Sequence, residues 1–375
     1  MKRHFFALLM SLAMIISLLP VTAMAENEMQ ENEAATQAAE TLAEPATSED
    51  CGATEDDSLT WALTKNDGEE TYTLTISGKG AMADYTVGGA PWHVALGAAA
   101  NRKLINKIEL PNGLTHIGDN AFLQASVTDV EIPSTVISIG TNAFWNCNTI
   151  RTTIPASVQD LGATAFYGTF VVNVDANSPY FCSEEDGKIL YNKDKTTLYQ
   201  VSQYCADEFT IPSTVTTIND FAMNGCANVT GELVIPNNVQ TIGKGAFEKT
   251  GFTSLTLGSS VKEIGQAAFK DCTKMTDDLV IPASVTTIGE NAFAGTGFNG
   301  KLDFQAQIEE FPAAIFKGLN FTSVSFSDSV KTIGDRAFEN CKQLATVTFG
   351  QGLETIGSYA FEGSGISGEL KFPDS

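Results

Sequence analysis

Seven cysteines, three histidines and one short acidic run are the side chains in this sequence with chemistry to offer. Cys147, Cys226, Cys272 and Cys341 each stand three residues after an Ala-Phe or Ala-Met pair. The equivalent place elsewhere holds Ala125, Thr169, Thr250, Thr296, Leu319 or Ser364. The place therefore asks for a mostly small, buried side chain, which a free thiol suits. No Cys-x-x-Cys spacing supports zinc. Cys182 and Cys205 are the one pair left open as a disulfide, and Cys51 has no evident partner. His4 falls near the start, and His93 and His116 are the other two. A Ser-His-Asp or Cys-His apparatus needs an orienting third group and an oxyanion hole; both histidines read instead as cap or surface residues. Gly78-Lys79-Gly80 lacks the third glycine and the following helix of a phosphate loop and reads as a turn. Glu184, Glu185 and Asp186 precede Gly187, and a solvated hairpin turn suits them better than calcium. No residue is assigned a catalytic, metal or cofactor role.

The elements that hold these residues repeat. Ile-Gly-Asp-Asn-Ala-Phe at 117–122 recurs at 139–144, 161–166, 218–223, 242–247, 264–269, 288–293, 311–316 (degenerate), 333–338 and 356–361. The last residues of these copies lie 22, 22, 57, 24, 22, 24, 23, 22 and 23 apart, a period in the leucine-rich-repeat range. A second marker precedes many copies, as in Ile-Pro-Ser-Thr-Val at 132–136 and Ile-Pro-Ala-Ser-Val at 281–285. A short strand puts alternate residues inward, and Pro133 ends it because proline cannot continue a ladder. Val136 and Ile139 return to the core, Gly140 permits a tight turn, and Phe144 plugs the core from a short helical or extended return segment. One repeat cannot bury this apolar set alone, whereas stacked copies bury it in one continuous core. The expected fold is a repeat solenoid of the leucine-rich-repeat type, on the order of 50 Å long at one strand spacing per copy.

The pattern Ile-Pro-x-Ser-Val-x-x-Ile-Gly-x-x-Ala-Phe-x-x-Cys, seen at 132–147 with Thr135 in the Ser place, resembles the BspA-like leucine-rich-repeat family of bacterial surface proteins. The resemblance covers 104–375. Residues 51–103, with Leu59-Thr60-Trp61, the 74–82 segment and Pro91-Trp92, look like the small β-rich N-terminal cap found before such repeats. The 57-residue interval exceeds two periods by about a dozen residues. It marks an insertion at about 167–217, read as extra strands that bud from the rod and stay in register with it. The family implies secreted or cell-surface proteins that adhere to other proteins.

The ends agree with that setting. Lys2 and Arg3, an apolar run from Phe5 to Leu19, and Ala23-Met24-Ala25 read as a signal peptide over 1–25. Residues 26–50 read as a disordered acidic linker. Leu370 to Ser375 begin an eleventh repeat that stops short, as in a truncated chain. Loss of Lys2 and Arg3 leaves 20 basic against 45 acidic residues. Such a balance repels phosphate backbones and anionic surfaces, which argues against nucleic acid as a partner. Outward strand positions form a row that includes Glu131, Thr153, Thr210, Thr256, Asp303, Ser325 and Thr348, and this face is the candidate binding surface. The expectation is a monomeric, extracellular binding or adhesion protein for an unidentified protein or glycan, without enzymatic activity, cofactor or membrane span in the mature chain. The competing readings are a structural spacer that displays another domain, or the binding part of a longer enzyme.

Overall fold

The computed structural model describes residues 47–205, 209–367 and 370–373. The expected signal peptide, the linker up to residue 46 and the last two residues lie outside the described residues.

Each coil of the solenoid has three walls. The first is a short strand such as Arg151–Ile154 or Leu279–Ile281, with alternate residues buried. The Ile-Pro-x-x-Val turn follows, closed by Val239 N–H donating to the Pro236 carbonyl at 3.0 Å. The second wall is a two-residue strand. Ile242 lies in parallel register with Ile264, and Ile264 with Ile288. The third wall carries the Ala-Phe pair. Here Phe247 N–H donates to the Ala268 carbonyl of the next coil at 2.7 Å, and Phe269 N–H to Ala292 at 2.8 Å. Backbone groups of one coil are thus satisfied by its neighbours, as burial demands. This return wall takes the form of consecutive turns; among the described residues the helices are Pro91–Leu96 and the 3-10 helix Ala99–Leu104, both in the cap.

Inside the third wall the phenylalanines form a spine. Ring centroids are 5.2 Å apart from Phe144 to Phe166, 5.3 Å from Phe247 to Phe269 and 5.1 Å from Phe269 to Phe293, with rings near parallel. Trp92 starts the spine. It is fully buried, lies 5.8 Å from Phe122, and its indole N–H donates to the Ala121 carbonyl at 2.7 Å. The cap therefore supplies the apolar cover that the first coil needs.

The glycine of the signature does a different job from the one expected. Gly243 does not have the left-handed backbone of a tight turn. Its N–H donates to the Ile218 carbonyl at 2.8 Å, and a Cβ there would sit 2.5 Å from the Asp220 amide nitrogen. Glycine is needed because the preceding coil passes too close for a side chain. The left-handed residue comes two places later: Asn120, Asn142, Thr164, Phe221, Gly245, Ala267, Asn291, Ala314, Arg336 and Tyr359 all have φ between 53° and 59°. In the degenerate copy, Pro312 has no N–H to offer Ile288. The second wall breaks there, between Thr287–Ile288 and Glu310–Phe311, beside a hollow of about 530 Å³.

The insertion forms strands that lie between the two halves of the stack. Val171–Val174 continues the first wall beside Arg151–Ile154. Phe181–Glu184, Ile189–Asn192 and Thr197–Val201 form an antiparallel meander. The last of these pairs in parallel with Thr217–Ile218 and so restarts the second wall. Leu190 belongs to the apolar cluster of the N-terminal half, while Ile189 and Tyr191 belong to that of the C-terminal half. One strand, buried on both faces, separates two cores by the period-two alternation of its side chains.

One boundary moves. Thr47–Asp50, inside the expected linker, is a strand paired antiparallel with Thr60–Lys65. Thr-Ser-Glu-Asp shows no apolar alternation, because this strand is held at an edge by backbone pairing. The cap sheet continues through Tyr72–Ser77, whose parallel partner Ile105–Glu109 leads into the first coil.

Two substitutions in adjacent copies separate the two backbone roles. Gly243→Ala is expected to destabilise by about 3 kcal/mol through overpacking against backbone, whereas Ala267→Gly stabilises by about 0.5–1 kcal/mol by relieving a left-handed alanine. Urea denaturation midpoints of the two variants check both signs.

Candidate functional site

The exposed side of the first wall is built by the alternation of its strands. In Arg151–Ile154, Arg151 and Thr153 face outward while Thr152 and Ile154 are buried. The inward Thr152 hydroxyl donates to the Val130 carbonyl at 2.7 Å, so a polar residue is tolerated there. Register places Asp129 and Val171 on either side of Arg151, and Asn173 beside Thr153. The outward residues surround a shallow depression of about 520 Å³, with Asp129, Glu131, Arg151, Thr153, Asn173 and Asp175 in its lining. Three carboxylates and one guanidinium thus line the same depression, and the guanidinium lies 4.5 Å from the Phe170 ring centroid, a cation–π distance that steadies it.

All seven expected row residues are exposed. They do not form one uninterrupted sheet. Thr153 lies on the three-stranded first-wall sheet that ends at Asp129–Val130, with Glu131 immediately beyond that last strand. Thr256 pairs with exposed Val234 in a separate two-stranded sheet. Asp303, Ser325 and Thr348 lie on successive strands of a third sheet, in which Val280 pairs with Asp303 and Ser325 with Thr348. Thr210 lies outside the strands. The row is therefore three patches, and the depression at Glu131 and Thr153 has charged groups of both signs in its lining.

The cysteines serve packing. Cys147, Cys272 and Cys341 donate to the carbonyls of Phe122, Phe247 and Phe316 in the preceding coil, at 3.0, 2.9 and 3.1 Å. Thr169 in the same place donates to the Phe166 carbonyl of its own coil at 2.7 Å, while buried Ala125 and Leu319 fill it without a side-chain donor, so the place wants a buried side chain that uses a donor where it has one. Burial pushes the thiols of Cys147, Cys226 and Cys341 up to about 12 and Cys272 to about 11. The candidate disulfide is not formed: Cys182 Sγ meets the Asn192 carbonyl at 3.4 Å, and Cys205 Sγ meets Glu185 Oε2 at 3.2 Å. Meander pairing commits the two thiols to separate partners. Of the acids near Cys182, Glu184 pairs with Lys195, and Glu185 and Asp186 occupy left-handed turn positions.

The histidines hold a surprise that sequence order hides. His116 Nδ1 lies 2.7 Å from Ser138 Oγ and its Nε2 3.1 Å from Asp84 Oδ1. His116 and Ser138 are one period apart, which predicts their stacking, but Asp84 comes from a cap loop that no periodicity locates. A hydrolytic triad also needs donors converging on a developing oxyanion. Asp160 lies in register with Ser138 on its other side. Asp84 also accepts the Asp119 N–H at 2.9 Å, so the trio ties the cap to the first coils. His93 is buried, and neither ring nitrogen has a hydrogen-bond partner. Burial, aided by the Arg102 charge, pulls its pKa down to about 3.

Comparison with known proteins follows the same line. The model of the BspA type leucine-rich repeat region (6 copies) matches residues 98–182, 198–320 and 309–375. A leucine-rich repeat protein from Eubacterium ventriosum is 24% identical over 88% of this chain and 98% of its own, with a TM-score of 0.55. The pneumococcal vaccine antigen PcpA is 15% identical over 83% and 99%, with a TM-score of 0.49. A leucine rich cell surface protein from Faecalibacterium prausnitzii is 17% identical over 81% and 95%, with a TM-score of 0.41. The likeness to the Eubacterium protein is one of fold. No curated protein matches the chain.

A thiol titration tests the cysteine reading. In native protein Cys182, which is half-buried, reacts with a disulfide reagent while the buried thiols stay silent. In denaturant all seven cysteines titrate; a lower count would mean that a pair is bonded. His93 predicts acid sensitivity of the cap. Its pKa in the folded state is depressed, so the unfolded chain binds the proton first. Stability is full above about pH 6.5 and falls as pH drops toward 3, by up to about 5 kcal/mol for this one group. His93→Leu is expected to flatten that slope, read from denaturation midpoints at pH 7 and pH 4.

Proposed function

We propose that this chain, which belongs to the BspA-type leucine-rich-repeat family, is a non-enzymatic recognition module that works outside the cell. The reading starts from the family and from the leader-like residues Lys2 to Ala25. The acidic balance adds to it, since a net charge of −23 disfavours nucleic acid and anionic surfaces as partners. Among the described residues no helix is long and apolar enough to cross a membrane.

One observation carries the proposal. The outward residues of the first wall present a depression of about 520 Å³ lined by Asp129, Glu131 and Asp175 together with Arg151. Charges of both signs within one hollow give orientation and partner choice to a docking protein surface. The rigid coil stack fixes their spacing in advance, which lowers the entropy lost on binding. Exposed Val234 and Val280, 50% and 45% accessible, add apolar contact further along the face. The partner class is an extracellular protein with a basic and polar surface, bound by a monomer of this chain.

Surface binding to a panel of immobilised extracellular-matrix proteins tests this reading. Saturable binding is expected, and Glu131→Arg combined with Thr153→Arg should weaken it at least tenfold without shifting the denaturation midpoint. A folded, monodisperse sample that binds nothing on the panel would leave a structural spacer as the better account.

A further inference from the structure

We infer that the return wall carries a saccharide site where the insertion interrupts the stack: a hollow of about 250 Å³, with Trp145 and Phe221 in its lining, that takes one neutral pyranose ring. The site is on a different wall from the protein-binding depression and does not depend on it.

The hollow arises from a fault in the coil order. In the third wall Phe144 N–H donates to Ala165 in the next coil and Met223 N–H to Ala246. Between those coils it is instead Val201, from the meander, that donates to Ala222. The outer surface is left open at this step, and aromatic rings gather around it. Trp145 stacks on Tyr167 at 5.6 Å, and Tyr167 meets Phe221 edge-on at 6.0 Å. The Tyr167 hydroxyl donates to Asn224 Oδ1 at 2.6 Å, and Asn224 Nδ2 donates to Glu248 Oε2 at 3.0 Å. Glu248 is 3% exposed, so the rings are anchored from within before any ligand arrives.

Phe221 is the informative residue. Its φ of 56° is left-handed, a costly state for a bulky side chain. Four other coils place Asn or Gly at this position, and the remaining five place Thr164, Ala267, Ala314, Arg336 and Tyr359, so what distinguishes Phe221 is its place in the wall of the hollow. The next coil gives the ring its space, because a Cβ on Gly245 would lie 2.6 Å from Phe221 Cδ1. The ring stands in the wall of the hollow with room beside it on the next coil.

The lining selects the ligand class. Flat apolar rings stack on the C–H faces of a pyranose, as aromatic platforms stack other planar groups. Asn142, Thr164 and Asp220 line the hollow; Thr164 donates to Asn142 Oδ1 and Asn142 to Asn120 Oδ1, and Asp220 accepts the Lys244 N–H through Oδ1, which leaves its second oxygen to accept from a ligand hydroxyl. Lys244, whose ammonium is 5.8 Å from the Phe221 ring centroid, and Asp220 bring one charge of each sign to the lining, so the ligand is neutral. The volume suits one sugar ring and excludes a protein strand or helix.

The test is a titration of the whole chain with methyl glucopyranoside, methyl galactopyranoside and N-acetylglucosamine, followed by saturation-transfer NMR. At least one should bind, with a Kd on the order of 1 mM for so small a contact. Phe221→Asn should weaken binding at least tenfold while its urea midpoint stays equal or rises, because asparagine tolerates the left-handed backbone. Trp145→Ala should also lose binding. Arginine substitutions at Glu131 and Thr153 should leave sugar binding unchanged, which separates this site from the other face. No binding of any of the three sugars overturns the proposal. So does unchanged binding by Phe221→Asn, or a loss of binding that comes with a lowered midpoint, which would make the ring structural filler.

Discussion

A coil of this protein cannot satisfy its own backbone, and most of the structure follows from that. Its strands are two to five residues long in the repeats, too short to pair within a coil. The amide of Gly265 finds its acceptor on Ile242 in the coil before, and the amide of Phe269 finds Ala292 in the coil after. Buried amides left unpaired are costly, so each coil is held at one spacing by its neighbours. That spacing brings phenyl rings into stacked contact and leaves no room for a Cβ at the signature glycine. The Ile-Gly and Ala-Phe elements are consequences of one stacking distance.

Where the stack is faulted, surface features appear. The meander between the third and fourth signatures replaces the return wall with a strand, breaks the phenylalanine spine at Met223 and opens the aromatic hollow. Pro312 removes one donor, and the second wall breaks beside another hollow. A regular solenoid offers the same surface at every step, so distinctive shape arises where the repeat is broken.

The chemistry-bearing side chains are mostly consumed by the fold. Four thiols and several threonines satisfy carbonyls between coils. His116 joins cap to solenoid through Asp84 and Ser138, and His93 is buried uncharged. What remains for function is outward geometry: a hollow with both signs of charge on the first wall, and an aromatic one on the third.

Much of this was legible in the sequence. The period of 22 to 24 residues fixes the stacking of like on like, so the solenoid, the phenylalanine spine and the small, buried place of the cysteines follow from spacing, while the division of the outward row into three patches does not. Periodicity relates position n to position n plus one repeat, and therefore predicts His116 beside Ser138 and Trp145 beside Tyr167. It says nothing about contacts made across the insertion or from the aperiodic cap. Asp84 on His116, Phe221 against Tyr167, the edge strand at Thr47–Asp50 and the separate partners of Cys182 and Cys205 were settled by tertiary structure alone. So was the division of labour between Gly243, forced by a neighbouring backbone, and the left-handed residue two places on, because a sequence records that a side chain is missing but not what occupies its place.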